Sequence, residues 1–319
     1  MSSFTDEFGY KPKVLWVASS GGHIAQAHRI ERILGRNDDS RWVTFDVPQT
    51  RSLLSGRRVD FVDYVAPRDF RGAVRAARRV REIERHEDFD LVVSTGSAVA
   101  FLALPLVALF GRTPTHYIES LARSSGPSLT GRVMRLAPKV ATYTQYASWS
   151  SNAWKYTGTI LDSYKAEPVE VGPDGPLRIF VTLGTIRPYR FDRLVDAVKQ
   201  ILRPDDRLVW QVGVTTRDDL PGEVHQSIPG PEMERFVAES DVIITHSGVG
   251  SILASFEHGK MPIVAVREGS RGEHVDDHQK YIAEVAESRG IALRMDVNTP
   301  DRKYLRDALG VQVVGTLGE

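Results

Sequence analysis

Cysteine is absent from the 319 residues. Its absence excludes a disulfide framework and any thiolate metal site, and it fits a reducing compartment. Excess charge of either sign is absent too, since Lys and Arg total 41 and so do Asp and Glu. A chain without net charge has no overall pull toward nucleic acid, so no nucleic-acid partner is expected and any ionic partner must be met locally. No apolar run is long enough to cross a bilayer. The longest, Ala98 to Phe110 (AVAFLALPLVALF), falls short of the ~20 residues a spanning helix needs and carries Pro105, so it is expected as a buried helix. The amino-terminal MSSFTDEFGYKPK holds acids and no apolar core. It does not read as a secretory leader, and a cytoplasmic protein is expected.

What is present is an ordinary globular composition, 41% hydrophobic and 26% charged, in a length that suits two domains of roughly 150 residues. Val14 to Ala18 is an apolar run ending in Ser19-Ser20-Gly21-Gly22, after which Ile24, Ala27, Ile30 and Leu34 recur at helical spacing. Further strands are expected at 42–45, 61–65, 91–93, 115–118 and 140–144, with helical segments between several of them. The stretch from Tyr156 to Gly175 reads as a linker. The pattern restarts with Arg178 to Leu183, Gly184-Thr185 and a helix over 191–202, and continues with strands at 208–212, 242–245 and 262–266. Alternation of this kind predicts α/β halves with parallel sheets, which bind ligands at the carboxyl ends of their strands.

The segment THSGVGSILASFEHGKMPIVAV, from Thr245 to Val266, is the most specific. It reads as strand, glycine turn (His246 to Ser251) and helix. Glycines let backbone amides approach an anion, and the helix amino terminus adds partial positive charge, so a phosphate suits the turn. The other reading is a tight turn and nothing more. The spacing is neither GxGxxG nor a Walker loop.

Thr245 to Val266, followed by Glu273-His274-Val275-Asp276-Asp277-His278-Gln279, resembles the carboxyl-terminal half of glycosyltransferase family 28. The nearest pattern is the donor-binding subunit of bacterial exopolysaccharide glucuronosyltransferases, whose relatives include the two-subunit transferase acting on dolichol-pyrophosphate sugars. Val181 to Thr185 resembles the first strand and loop of that subunit. Ser19-Ser20-Gly21-Gly22-His23, Tyr117-Ile118-Glu119-Ser120 and Ser128-Leu129-Thr130-Gly131 resemble the partner subunit. The chain thus looks like a fusion of two usually separate subunits.

The resemblance implies an α/β GT-B fold: two Rossmann-like domains facing across a cleft, with residues 1–165 binding the acceptor at a membrane and 166–319 binding a UDP-sugar. Gly184 and Thr185 would meet the diphosphate from one loop, and His246, Ser247, Gly248, Val249, Gly250 and Ser251 from the other. His278 and Gln279 would face the donor sugar. Ser20, Gly21, Gly22 and Ser120 would serve the acceptor, a polyprenyl-pyrophosphate glycan. Inversion follows from the family. No cofactor or metal is implied, because amide-rich loops can stabilise a leaving diphosphate by themselves and the Asp-Asp pairs at 38, 205 and 218 sit in polar turns.

One departure concerns the ribose. Where the peptidoglycan and dolichol enzymes place a ribose-binding glutamate, this chain has Ala254, and Glu257 lies a helical turn further on as a partial substitute. The exopolysaccharide branch also lacks that glutamate. His23, after the glycines, is a candidate general base or an acceptor-phosphate contact, and Glu119 is the alternative base or an orienting group. The resemblance favours UDP-glucuronate, and if the donor is a uronic acid, Arg267 or Arg271 could pair its carboxylate.

Seven arginines occur between Arg68 and Arg85. Arg68, Arg71, Arg75, Arg78 and Arg85 share one helical stripe and Phe70, Val74, Ala77 and Val80 another, which suits either an anionic membrane surface or a solvated helix packed on a core. Three other functions stay open: a UDP-N-acetylglucosamine transferase of the same fold, a UDP-sugar epimerase and a non-catalytic UDP-binding scaffold.

Overall fold

The computed structural model describes residues 2–66, 69–172, 174–185, 187–274 and 278–316, without the side chains of Ser2 and His278. The chain forms two compact units, Met1–Ser163 and Tyr164–Glu319.

The first unit runs α1 (Ser2–Phe8), β1 (Val14–Ala18), α2 (Gly22–Leu34), β2 (Arg41–Phe45), α3 (Pro48–Leu53), β3 (Arg58–Val62), α4 (Phe70–His86), β4 (Leu91–Gly96), α5 (Ala98–Phe110), β5 (Thr115–Ile118), α6 (Leu129–Leu136), β6 (Val140–Thr144) and β7 (Lys155–Tyr156). Its seven strands are ordered β3-β2-β1-β4-β5-β6-β7, and every pairing is parallel. All residues of β1 and β4 are buried, as expected of central strands covered on both faces. The strand order reverses between β1 and β4. That switch point opens the crevice in which open α/β sheets hold ligands, and it puts Ser19–His23 beside Thr95–Ser97.

The second unit runs β8 (Tyr164–Pro168), β9 (Arg178–Thr182), α7 (Asp192–Ile201), β10 (Arg207–Gln211), β11 (Glu223–His225), α8 (Gly230–Glu239), β12 (Val242–His246), α9 (Val249–Glu257), β13 (Pro262–Ala265), α10 (His278–Ser288), β14 (Leu293–Arg294), α11 (Lys303–Leu309) and β15 (Val311–Gly315). Six strands form a parallel sheet in the order β11-β10-β9-β12-β13-β14. Its switch point lies between β9 and β12, which brings Leu183–Thr185 next to His246–Ser251. β8 and β15 pair antiparallel, from Tyr164 opposite Gly315 to Pro168 opposite Val311.

Several elements differ from the sequence expectation. The strand expected at 61–65 is β3, three residues earlier. It is an edge strand whose register follows its pairing with β2 and the Arg41–Asp60 ion pair rather than its own apolar residues. The expected linker is partly ordered. Ile160 and Leu161 are buried, Arg29 donates to the Ser163 hydroxyl and carbonyl, and β8 follows at once. α1 was not anticipated. Its Phe8 packs edge-on to His116 and against Tyr143, and Phe4 and Phe8 are buried while Asp6 and Glu7 face solvent.

α5 is the buried helix expected from the long apolar run, although Leu109 and Phe110 at its carboxyl end are exposed. α4 buries Ala73, Ala76, Ala77, Val80 and Ile83. Phe70 and Val74, expected on the same apolar stripe as Ala77 and Val80, face solvent instead, and Arg68 lies outside the described residues.

Candidate active site

In the first unit the loop after β1 turns at Gly21, whose φ of +78° is left-handed while nothing would obstruct a Cβ there. Glycine is therefore needed for conformation. The Gly21 amide is already spent, since it donates to Gln49 Oε1 at 2.7 Å. Ser120 is also internal: its hydroxyl accepts from Gln26 Nε2 at 3.1 Å, and Gln26 Oε1 in turn accepts from the Leu121 amide and from Gln145. The same Gln26 amide donates to the Gly22 carbonyl at 3.0 Å. Gly22 and Ser120 thus belong to a brace between the β1 loop and the β5 loop, while Gly21 is tied to α3 through Gln49. Ser20 lies in the same loop, its carbonyl accepting from the Ser19 hydroxyl at 3.3 Å.

His23 is the chemically poised residue of this brace. Its Nδ1–H donates to the Thr95 carbonyl at 2.7 Å, and the Thr95 hydroxyl donates back to the His23 carbonyl at 2.8 Å. A carbonyl can only accept, so Nδ1 carries the proton and Nε2 keeps its lone pair. Burial holds the imidazole below its ordinary pKa, and the nearby Arg123 charge adds to that. A neutral imidazole with a free Nε2 can accept a proton.

Glu119 does not share that role. It is 1% exposed, and both carboxylate oxygens are occupied: Oε1 accepts from the Ser120 amide (3.0 Å) and the Tyr117 hydroxyl (3.1 Å), Oε2 from the Ser128 amide (2.9 Å) and hydroxyl (3.1 Å). Ser128 also caps α6 by accepting from the Gly131 amide. Of the two readings given for Glu119, these bonds favour the structural one: it closes the 120–128 loop. Burial pushes its pKa up, against those hydrogen bonds. Glu119→Gln should turn an acceptor toward the Ser128 amide into a donor and lower unfolding free energy by about 2 kcal/mol, measured by urea denaturation. Unchanged stability with lost activity would return Glu119 to the chemistry.

In the second unit His246 lies between the two glycine loops. A Cβ on Gly184 would stand 2.6 Å from its ring, and one on Gly248 would stand 2.4 Å from its Nε2. Gly184 also has a φ of +73°. The imidazole is thus a spacer on which both loops rest. Burial, the Arg267 charge and His274 drive its pKa down to about 3, so it is neutral.

The expected phosphate contacts divide by what each group already bonds. The Ser247 hydroxyl donates to the Ala265 carbonyl at 3.2 Å, and the Gly248 amide donates to the His246 carbonyl at 2.7 Å. Neither is left for a ligand. Val249, Gly250 and Ser251 form the first turn of α9, where amides have no carbonyl of the helix to bond and the helix dipole is positive. Thr185, across the switch point, is exposed.

Arg267 departs from expectation. It is 1% exposed, and its guanidinium donates to the carbonyls of Leu183, Tyr189 (3.0 Å) and Glu273 (2.8 Å) while stacking 4.9 Å from the Phe191 ring centroid. Burial lowers its pKa to about 10. It tethers the 183–190 loop to residue 273 instead of offering a fork to a uronate. Arg271 is paired with Glu268 at 2.9 Å. Glu257, expected near the ribose, ends α9, roughly 12 Å along the helix from Val249 at 1.5 Å per residue, and accepts from the Tyr164 hydroxyl. Gln279 is buried, and its Oε1 has no partner among the described residues, so it can accept from a ligand hydroxyl. His278, the other expected sugar contact, lies outside the described side chains.

Of the Asp-Asp pairs, Asp206 is held by Arg302, and Asp219 by Arg217 and Lys199. Sequence reasoning missed Thr95, Gly96, Gln26, Tyr117 and Gln145. Ser94-Thr95-Gly96-Ser97, a polar break between two apolar runs, hinted at Thr95 and Gly96, and Tyr117 lies within the quoted Tyr117-Ile118-Glu119-Ser120 motif without a role assigned to it.

Residues 178–300 match the glycosyltransferase family 28 C-terminal domain. No curated protein matches the chain. Among solved structures, MurG from Acinetobacter baumannii is 18% identical at a TM-score of 0.54, with 94% of each chain covered. The glycosyltransferase SnogD from Streptomyces nogalater is 19% identical at 0.53, covering 93% of this chain and 90% of its own. The UDP-GlcNAc 2-epimerase from Methanocaldococcus jannaschii is 10% identical at 0.56, with 96% of each covered. At such identities the likeness shows the fold alone.

Proposed function

We propose, since residues 178–300 match the glycosyltransferase family 28 C-terminal domain, that the protein is an inverting, metal-independent transferase. It moves a sugar from a UDP-sugar to a polyprenyl-pyrophosphate-linked glycan in cell-surface or exopolysaccharide synthesis. The observation that carries this reading is a histidine at each switch point: the His246 ring stands between Gly184 and Gly248, and His23 donates Nδ1–H to the Thr95 carbonyl, which supports a diphosphate at the first and an acceptor hydroxyl at the second.

In the proposed step, His23 Nε2 takes the acceptor hydroxyl proton as that oxygen bonds to the anomeric carbon. The bond from that carbon to the β-phosphate oxygen breaks, and its electron pair leaves with UDP. The amides of Val249, Gly250 and Ser251 and the α9 dipole meet the charge that develops there. One displacement from the opposite face inverts the centre. The unpaired Gln279 Oε1 supports a role in holding a sugar hydroxyl.

An epimerase reading draws on the shared fold, but that chemistry calls for free carboxylates beside the sugar, and Glu257 and Glu273 are bonded to Tyr164 and Arg193. With Arg267 committed to carbonyls, UDP-glucuronate is favoured by the resemblance and not by a guanidinium. A thermal-shift series with UDP, UDP-glucuronate, UDP-GlcNAc and UDP-glucose, with and without EDTA, tests the donor site. UDP at 100 times its Kd should stabilise the protein by about 2.7 kcal/mol regardless of EDTA. No response to any of them would sink the reading.

Acceptor access from a membrane is supported by exposed apolar side chains on the edge of the first sheet that also carries His23. Helices leaving parallel strands start at that edge, and there Phe70 (66% exposed) and Leu129 (75%) open α4 and α6 beside Arg71, Arg75 and Arg132. No described helix is long and apolar enough to cross a membrane. The protein should float with phosphatidylserine vesicles at low salt, and Phe70→Ser with Leu129→Ser should cut the bound fraction at least several-fold. Equal flotation of the double variant would remove the surface from the proposal.

A further inference from the structure

We infer that the Thr95–Gly96 turn at the end of β4 is the positioning device of His23, holding it in the one tautomer that can act as a base; this rests on the reading of His23 as that base. Three independent features of the turn converge on the ring. The first is a two-point clamp: the Thr95 carbonyl accepts Nδ1–H at 2.7 Å, and the Thr95 hydroxyl donates to the His23 carbonyl at 2.8 Å. One residue therefore fixes both the side chain and the main chain of His23.

The second feature is an irregularity in the β1–β4 ladder. Trp16 faces Val93 but Ala18 faces Gly96, so β4 carries one residue more than β1 over that interval. Such a bulge turns the local main chain, and bulges gather next to active sites because they re-aim groups at a strand's end. Here the re-aimed group is the Thr95 carbonyl. The Ser94 hydroxyl steadies the turn by accepting from the Gly96 amide at 3.0 Å.

The third feature is room. Gly96 has a φ of +115°, and a Cβ on it would lie 3.1 Å from His23 Cε1, 3.3 Å from Nδ1 and 3.1 Å from the Tyr117 hydroxyl. A larger residue would press the imidazole off the carbonyl and disturb the hydroxyl that donates to Glu119. A carbonyl partner selects the tautomer without adding a negative charge beside the ring. Thr95 and Gly96 touch neither substrate in this scheme; they act through His23.

Nitrogen NMR of the full-length protein tests this, with the His23 signals among nine histidines assigned by their loss in His23→Asn. The wild type should show one neutral tautomer with the proton on Nδ1. Thr95→Val keeps the shape and the carbonyl but loses the hydroxyl that fixes the His23 main chain; it should keep the Nδ1–H tautomer and show a kcat lower by about 10²-fold, with KM for the donor and the UDP thermal shift unchanged. Thr95→Ser should restore kcat, and Gly96→Ala, which presses the ring off the carbonyl, should lose both the tautomer and kcat. A wild-type ring protonated on Nε2 would overturn the inference even if no variant folds. So would a Gly96→Ala protein with the wild-type tautomer and kcat, or a Thr95→Val protein with the wild-type kcat. Failure of the base reading looks different: His23→Asn would keep full transferase activity whatever the tautomer.

Discussion

His23→Ala will lower kcat by about 10²- to 10⁴-fold, the range a positioned general base contributes, while the UDP-induced thermal shift stays at the wild-type value. The two readouts separate because His23 and the amide loops belong to different units of the chain. The pH profile adds a sign. A base works only when unprotonated, so activity falls as pH drops through its pKa. Burial has pushed the His23 pKa below its ordinary 6.5, so the acid limb of kcat/KM should lie below pH 6.5, provided the acceptor does not itself titrate there. A limb above 6.5 that vanished in His23→Ala would mean that the ring is exposed to a negative charge, and the burial argument would be wrong. Loss of the UDP shift in His23→Ala would also count against the assignment.

The second large effect belongs to the glycines resting on His246. Gly248→Ala has an ordinary backbone conformation, with φ at −81°, so the only strain is the methyl group against Nε2 at 2.4 Å. Gly184→Ala adds a left-handed φ of +73° to its own contact at 2.6 Å. Each should abolish the thermal shift by UDP and reduce kcat/KM by at least about 10²-fold, because displaced amides no longer meet the diphosphate charge. The cause can be separated from the loop by a double variant. His246→Ala removes the ring, so His246→Ala with Gly248→Ala should bind UDP better than Gly248→Ala alone, a non-additivity expected of groups in contact. Gly248→Ala with full UDP binding would show that the glycine serves the turn and not the ligand.

Some of this site was visible before any coordinates. The Ser19–His23 and His246–Ser251 turns announce themselves because they break apolar, periodic surroundings with glycine and serine. Residue types, however, say nothing about which polar groups are already bonded. Ser247, Gly248, Gly21 and Ser120 all looked like ligand contacts, and their polar groups are spent on the Ala265 carbonyl, the His246 carbonyl, Gln49 and Gln26. Arg267 and Glu119 were hard to read for one reason: a charged residue after a strand looks like a ligand group until its burial is known. Phe70 and Val74 follow the helical period of Ala77 and Val80, but burial on α4 begins at Gly72 and Ala73 and runs through Ala76, Ala77, Val80 and Ile83.

Local stretches of chain were enough to set the two α/β halves, the glycine turns that follow β1, β9 and β12, and the presence of a histidine in two of them. These follow from periodicity and turn chemistry within a dozen residues, which is the range over which backbone preferences act. That β1 neighbours β4, and β9 neighbours β12, emerged in the folded chain alone. Through those pairings Thr95 reaches His23 across 72 residues, and Gly184 comes to rest on His246. Strand order is settled by packing the whole sheet between its helices, and no local stretch of chain contains that information.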